Sequence, residues 1–272
     1  TAGTNEILTF SNYISAGGTV FARVIDENSC YSVAKITLQV IPPVYSSLLK
    51  DKTICIEDRT TLDAGPGFSS YEWSTGATTQ SISGVGVGTY WVKLETGECI
   101  ALQTVKVNAS QQPVITDIDI TNTTVTITAE GGTAPYQYSI DGIHWQDSNV
   151  FTNIKRGDHS IFVKDAYNCE PIQVGIVVPN LINVITPNGD GINDVIDYSA
   201  LGHKKNLLFI VFDRYGNKIF QADRFNNYKW DGTSGNKKIL TGNYWYSASW
   251  NENDKNSTPV KYTGWVLVKN RE

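Results

Sequence analysis

The 272 residues are too many for one small sandwich and suit two to four small domains. With 40% hydrophobic and 18% charged residues, the chain carries enough apolar side chain to build cores, which excludes global disorder. The formal charge of −5 divides unevenly, −8 over residues 1–179 and +3 over residues 180–272. The basic residues stand singly or in pairs such as Lys204-Lys205 and Lys237-Lys238, without the stripe that nucleic-acid binding requires.

Apolar spacing of three and four is nowhere sustained, whereas 14 Tyr, 7 Trp and 23 Gly accompany recurrent Thr and Val. That mixture predicts an all-β chain of short strands and tight turns. The longest apolar runs, such as Leu207 to Phe212, are strand-sized, far short of the roughly 20 residues a membrane helix needs. No signal peptide pattern is visible, and the first forty residues read as the back half of a module. The expected arrangement is the C-terminal piece of a longer exported protein.

Taken in chain order, three segments end alike: VFARVIDENSC at Cys30, YWVKLETGEC at Cys99 and SIFVKDAYNC at Cys169. Each alternates apolar and polar residues, turns through acidic or small residues, reaches Cys, and continues into another alternating strand: ITLQV, LQTVKV and IQVGIVV. A period of about 70 residues predicts tandem Ig-like β-sandwich modules. The boundaries are 1–41, the last strands of a module that began upstream; 44–109; 111–179; and 180–272, which has no Cys. In the second module Trp73 lies between Cys55 and Cys99, the arrangement expected of an aromatic packed over an inter-sheet disulfide, so Cys55–Cys99 is the predicted bridge. Cys30 is expected to have lost its partner to the start of the chain. Cys169 is left either as a buried thiol or with a partner outside its own module.

In the third module GGTAPYQYSIDG places Gly131-Gly132 and Pro135 as breaks and Asp141-Gly142 as a hairpin turn. This run, with the later VKDAYNC, resembles the SprB-type adhesin repeat of Bacteroidetes, although the first cysteine common in such repeats is absent. LDAGPGFSSYEWSTGATTQSI and GTYWV make the second module similar to the Ig-like repeats of the same surface proteins.

Residues 180–272 read as a further sandwich. NLLFIVFDRYGNKIF predicts two strands about a turn at Tyr215-Gly216-Asn217. In GNYWYSASW, Tyr244, Tyr246, Ala248 and Trp250 share one strand face, with Trp245, Ser247 and Ser249 on the other; so aromatic a face is core or interface. Five motifs follow in order: TPNGDGIND (Thr186, Pro187, Asn188, Gly189, Asp190, Gly191, Asn193, Asp194), FDRYG (Phe212, Asp213, Arg214, Tyr215, Gly216), WDG (Trp230, Asp231, Gly232), GNYWY (Gly242, Tyr244, Tyr246) and GWVLVK ending at Lys269. Together they resemble the gliding-motility-type, or type B, C-terminal sorting domain of the type IX secretion system. The resemblance implies export across the outer membrane and display at the cell surface. It also implies as partners the secretion translocon and a PorP/SprF-like outer-membrane protein.

Each motif also has a plainer reading. Asn188, Asp190 and Asp194, with Asn193 or Asp197, offer oxygens at short spacing that suit calcium, but the bidentate Glu of an EF-hand is missing. The other reading is a network of Asx turns fixing the loop. Arg214 is either a hairpin-corner residue paired to Asp213 or Asp231, or an exposed docking contact. Asp231 is expected to accept backbone bonds in a packed turn, and Gly242 to supply a positive φ. Catalysis has little support: His144, His159 and His203 are scattered, and no HExxH, GxSxG or phosphate loop occurs. Trp145, Tyr136 and Tyr138 are either core or a sugar-stacking platform. The expected function is therefore non-enzymatic: a surface adhesin tail of rigid repeats ending in a folded secretion signal, whose upstream region binds a surface or glycan. Alternatives are the noncatalytic tail of a secreted hydrolase or a carbohydrate-binding array.

Overall fold

The computed structural model describes residues 18–38 and 40–270; the rest of the 1–41 segment lies outside the described residues. Among those described, every element is a strand apart from two single 3-10 turns, Ser199–Leu201 and Arg224–Asn226. The chain is all-β and built of Ig-like sandwiches, in two compact units, Thr1–Asn108 and Ala109–Glu272.

In the first unit β1 (Gly18–Ile25) and β2 (Tyr31–Leu38) form an antiparallel hairpin. Phe21, Ile25, Tyr31, Val33 and Ile36 are exposed, as in a sandwich half that lacks a facing sheet among the described residues. The rest of the unit is a closed sandwich. Its strands are β3 (Lys52–Ile54), β4 (Thr60–Asp63), β5 (Ser70–Trp73), β6 (Ser81–Val85), β7 (Gly88–Thr96) and β8 (Cys99–Ala109). A sheet ordered β3-β8-β7-β5 shares one core with the pair β4-β6. The alternation seen in the sequence is what buries Val92 and Leu94 of β7 against Leu62 of β4 and Val105 of β8. Trp73 is fully buried and donates its indole N–H to Thr79 O at 2.8 Å.

The predicted Cys55–Cys99 bridge is not formed. Cys99 carries a free thiol, and Cys55 is disulfide-bonded without it. The cause is strand direction. Ser46 N–H donates to Gln103 Oε1 at 2.8 Å, and Lys106 N–H donates to Asp51 Oδ1 at 2.7 Å. The approach to β3 therefore runs along β8 in the same direction, carrying Cys55 past Lys106, while Cys99 opens β8 at its other end. Seven strand residues span roughly 20 Å, well beyond the roughly 7 Å that a disulfide tolerates between Cα atoms. Cys30, the other free thiol, is exposed.

The second unit contains β9 (Pro113–Thr121), β10 (Thr124–Gly131), β11 (Gln137–Ser139), β12 (Val150–Phe151), β13 (Gly157–Lys164) and β14 (Ile172–Val178). These are followed by β15 (Val184–Ile185), β16 (Ile196–Asp197), β17 (Lys205–Phe212), β18 (Lys218–Ala222) and β19 (Lys229–Trp230). The last are β20 (Thr233–Ser234), β21 (Lys237–Lys238), β22 (Gly242–Asn251) and β23 (Pro259–Val268). The sequence divides this region at residue 180; the structure runs one sheet across that point. The order is β12-β10-β9-β23-β22-β17-β18, with β15 also on β23. The join is parallel, Val260 opposite Ile118 through Thr263 opposite Thr121. A register shift in the β9–β10 ladder inserts an extra residue at Thr116, so that Ile115, Ile118 and Ile120 all reach the core despite their uneven spacing. A three-stranded sheet, β11-β13-β14, shares that core, and the buried cluster is continuous from Ile115 to Val268. Cys169 is disulfide-bonded and accepts the Ser110 hydroxyl at 3.0 Å, which removes the reading as a free thiol.

Candidate functional site

The face predicted for β22 is the core: Tyr246, Ala248 and Trp250 are buried, and Tyr244 packs against the cluster. Tyr246 stacks on Tyr262 with ring centroids 5.9 Å apart and meets Tyr198 edge-on at 6.0 Å. Burial, above all, raises the Tyr246 and Tyr198 phenols well above their ordinary values. At the end of the sheet where β22 begins and β23 ends, the five motifs converge. The Trp230 ring lies 6.1 Å from Tyr244 and 6.1 Å from Phe220, and its indole N–H donates to Thr233 O at 2.8 Å. Gly232 holds a φ of +73°, and a Cβ there would lie 3.0 Å from Pro187 Cγ and 3.3 Å from Val268 Cγ1. Only glycine lets WDG, TPNGDG and the last strand meet so closely. Asp231 accepts Thr233 N–H at 3.1 Å, the backbone-binding role expected of it. Lys269 joins through its backbone, donating to Ile185 O at 2.9 Å.

The NGDGIND loop leads out of β15. Asp194 is its hub: one carboxylate oxygen accepts N–H from Asn188 at 3.0 Å and Gly189 at 2.9 Å, and the other accepts Gly191 at 2.7 Å. These backbone donors, those of Gly189 and Gly191 foremost, hold its carboxyl below the usual range. Asp190 accepts Ile192 N–H at 2.8 Å and the Asn188 amide at 2.8 Å. Asn193 has a φ of 53° and closes the loop by accepting Thr186 N–H at 2.8 Å. Asp197 is occupied by Ser199 N–H at 2.8 Å and Lys229 at 3.0 Å. The residues considered for calcium are thus arranged as an Asx network in which N–H groups converge on carboxylates. A cation would have to replace those bonds. Among the described residues no three His, Cys, Asp or Glu side chains group as a metal site.

At the FDRYG corner Asp213 accepts N–H from Tyr215 at 2.8 Å and from Asn217 at 2.9 Å, and the Asn217 side-chain amide at 2.9 Å. The Asn217 amide is the main reason its carboxyl is held low. The expected ion pair of Arg214 with Asp213 or Asp231 is not made. The guanidinium lies 5.4 Å from the Tyr215 ring centroid, and both side chains are exposed. The corner is closed by the bonds to Asp213, without Arg214. Gly242 also departs from expectation. It does not have a positive φ, because it sits extended in β22 opposite Val268, and a Cβ would meet nothing nearer than Tyr244 at 4.0 Å.

The glycine that matters in these strands is Gly264, to which no role was assigned from sequence. It lies opposite Tyr246, and a Cβ there would be 2.5 Å from the Tyr246 oxygen and 2.6 Å from Cζ. A glycine inside an alternating strand was the available signal. The proposed sugar platform is engaged internally. Lys164 Nζ lies 4.3 Å from the centroid of Trp145, and the Tyr136 hydroxyl donates to Gly131 O at 2.6 Å. Tyr138 is core. On the outer sheet face Trp245 is 56% and Trp265 44% exposed, directly opposite one another.

Residues 179–268 match the family model of the CHU_C Type IX secretion signal domain. The match supports a C-terminal sorting domain, and with it interaction with the type IX secretion machinery and export to the cell surface. It covers the five motifs up to Val268, all but Lys269. A comparison with curated proteins finds no match. Among solved structures, the I-band fragment I67-I69 from titin is similar at 10% identity and a TM-score of 0.26, covering 86% of this chain and all of that one. Three N-terminal domains of the bacteriophage RB49 Highly Immunogenic Outer Capsid protein are similar at 11% identity and a TM-score of 0.32, covering 80% and 95%. No helix among the described residues is long and apolar enough to cross a membrane.

Proposed function

We propose that this chain is the non-enzymatic C-terminal portion of a secreted adhesin of the gliding-motility type, from a member of the Bacteroidetes. In this reading the sandwiches hold an upstream adhesive region away from the cell, and the C-terminal domain is both export signal and surface attachment. The observation that carries it is the convergence of five ordered motifs on one end of one sandwich, within the segment that matches a secretion signal. Their side chains build a packed shape around Trp230 and Gly232. Docking to the translocon and to a PorP/SprF-like outer-membrane protein is assigned to that end, where Arg214, Tyr215, Ile192 and Leu240 are exposed. Arg and aromatic side chains are the usual anchors of protein interfaces.

The test is display of the full chain, exported to the periplasm of a host that has the system. Wild type is expected at the surface, accessible to added protease. Arg214→Ala combined with Tyr215→Ala is expected to stay folded and accumulate inside. Display of the double variant at the wild-type level removes this docking assignment. Retention of the wild type inside removes the sorting reading itself.

A further inference from the structure

The secretion-signal match begins at Pro179, but the fold it describes is not closed by those residues alone. Its last strand, β23, is an interior strand. One edge pairs with β22 over its whole length. The other edge is shared: β15 covers Leu267 and Val268, and β9 covers Val260 to Thr263. β9 ends at Thr121, well upstream of the match that begins at residue 179, in the preceding module. Its Ile118 and Ile120, both fully buried, enter the same core as Val260 and Tyr262. Around the junction Asn122 N–H donates to Thr263 O at 3.4 Å, and the Thr121 and Thr263 hydroxyls are 3.0 Å apart. Arg156, from the loop before β13, bonds Pro179 O at 2.6 Å, Asn122 Oδ1 at 3.2 Å and Tyr262 Oη at 3.4 Å. One guanidinium thus ties the preceding module, the boundary residue and the last strand together.

We infer that β9 is part of the sorting unit: the body read by the secretion machinery is residues 109–272, with β9 holding the C-terminal strand in register. This rests on the sorting reading above. Removing β9 would leave Val260 to Thr263 as an open strand edge, a template for wrong pairing, and would expose Tyr262 and Val260. The inward-facing residues of β9 are therefore positioning residues for export although they lie outside the matched segment.

Two changes to the full chain test this, with export and surface display as readouts. Ile120→Asp buries a carboxylate at the junction; hydrogen exchange is expected to show β23 deprotected, and surface display to fall to background. Val92→Asp, which disrupts the core of the first unit, controls for mere unfolding and is expected to leave display intact. Thr121→Cys with Thr263→Cys locks the two strands together; oxidised, it is expected to be displayed as well as the wild type. The inference is overturned if Ile120→Asp is displayed normally, if Val92→Asp abolishes display equally, or if the locked chain is held inside while its reduced form is displayed. Failure of the wild type to reach the surface would instead strike the sorting reading on which this one stands.

Discussion

The modules at 44–109 and 111–179 carry the same closing signature, an alternating strand, an acidic turn, a cysteine and a second strand, yet their cores end in different places. The first closes on itself: its buried cluster runs from Leu49 to Val107. The second never closes, since its cluster continues without a break to Val268. The difference lies in the opening strand. In the first module the segment before β3 lies along β8 of its own sandwich, whereas β9 lies along β23, about 140 residues downstream. A repeat signature reports how strands end; it does not report whether a module stands alone.

The sharpest way to break this comparison is to remove one buried tryptophan from each unit. Trp73→Ala and Trp250→Ala should each cost about 3–5 kcal/mol. Followed by hydrogen exchange in the full chain, Trp73→Ala should release only strands between residues 49 and 107. Trp250→Ala should release β9 and β13 together with β22 and β23. Retained protection in β9 and β13 after the second change would mean that the two halves of unit two are separable after all.

Gly264→Ala comes next. Forcing a methyl group against the Tyr246 ring should cost about 1–3 kcal/mol, lowering the melting midpoint of unit two and leaving that of unit one in place. An unchanged midpoint would show that the Tyr246 ring has room to move. A smaller, local effect is expected at Asp194. Its carboxyl is held low by backbone donors, so loop order is fully present above the ordinary carboxylate pKa, near 4. That order is lost as pH falls through the lower folded value. Amide exchange at Gly189 and Gly191, corrected for intrinsic rates, should quicken in acid and in Asp194→Ala at neutral pH. Calcium should leave both midpoint and exchange unchanged; a calcium-dependent rise lost in Asp194→Ala would establish a cation site. The smallest effect belongs to Gly242→Ala, within about 1 kcal/mol and of either sign. A large loss there would show that the position needs glycine for a reason other than backbone conformation.

Most of the architecture was legible because its signals are local. Alternation marked β7, β13 and β22, and the inward face of β22 followed from Tyr246, Ala248 and Trp250 alone. Asp231 and the Asx reading of NGDGIND were legible for the same reason: their partners lie within a few residues. What was hidden depends on partners remote in sequence. The path of Cys55 along β8, the parallel seat of β9 on β23 and the three bonds of Arg156 are set by topology, which no local pattern encodes. Gly242 and Gly264 divide in the same way. Both are strand glycines, but only the cross-strand position of the Tyr246 ring distinguishes the one that has no space for a methyl group.

The parallel seat of β9 has a mechanical consequence. When a load enters unit two through its N-terminal end and leaves through the C-terminal end of β23, the two strands are drawn in opposite senses along their common axis. Their cross-links are then strained side by side instead of one after another, and rupture requires them to fail together. Single-molecule stretching between residues 109 and 270 should meet a high yield force. Traction applied between 242 and 270, at the open end of the antiparallel β22–β23 pair, loads the cross-links one after another and should meet a lower one.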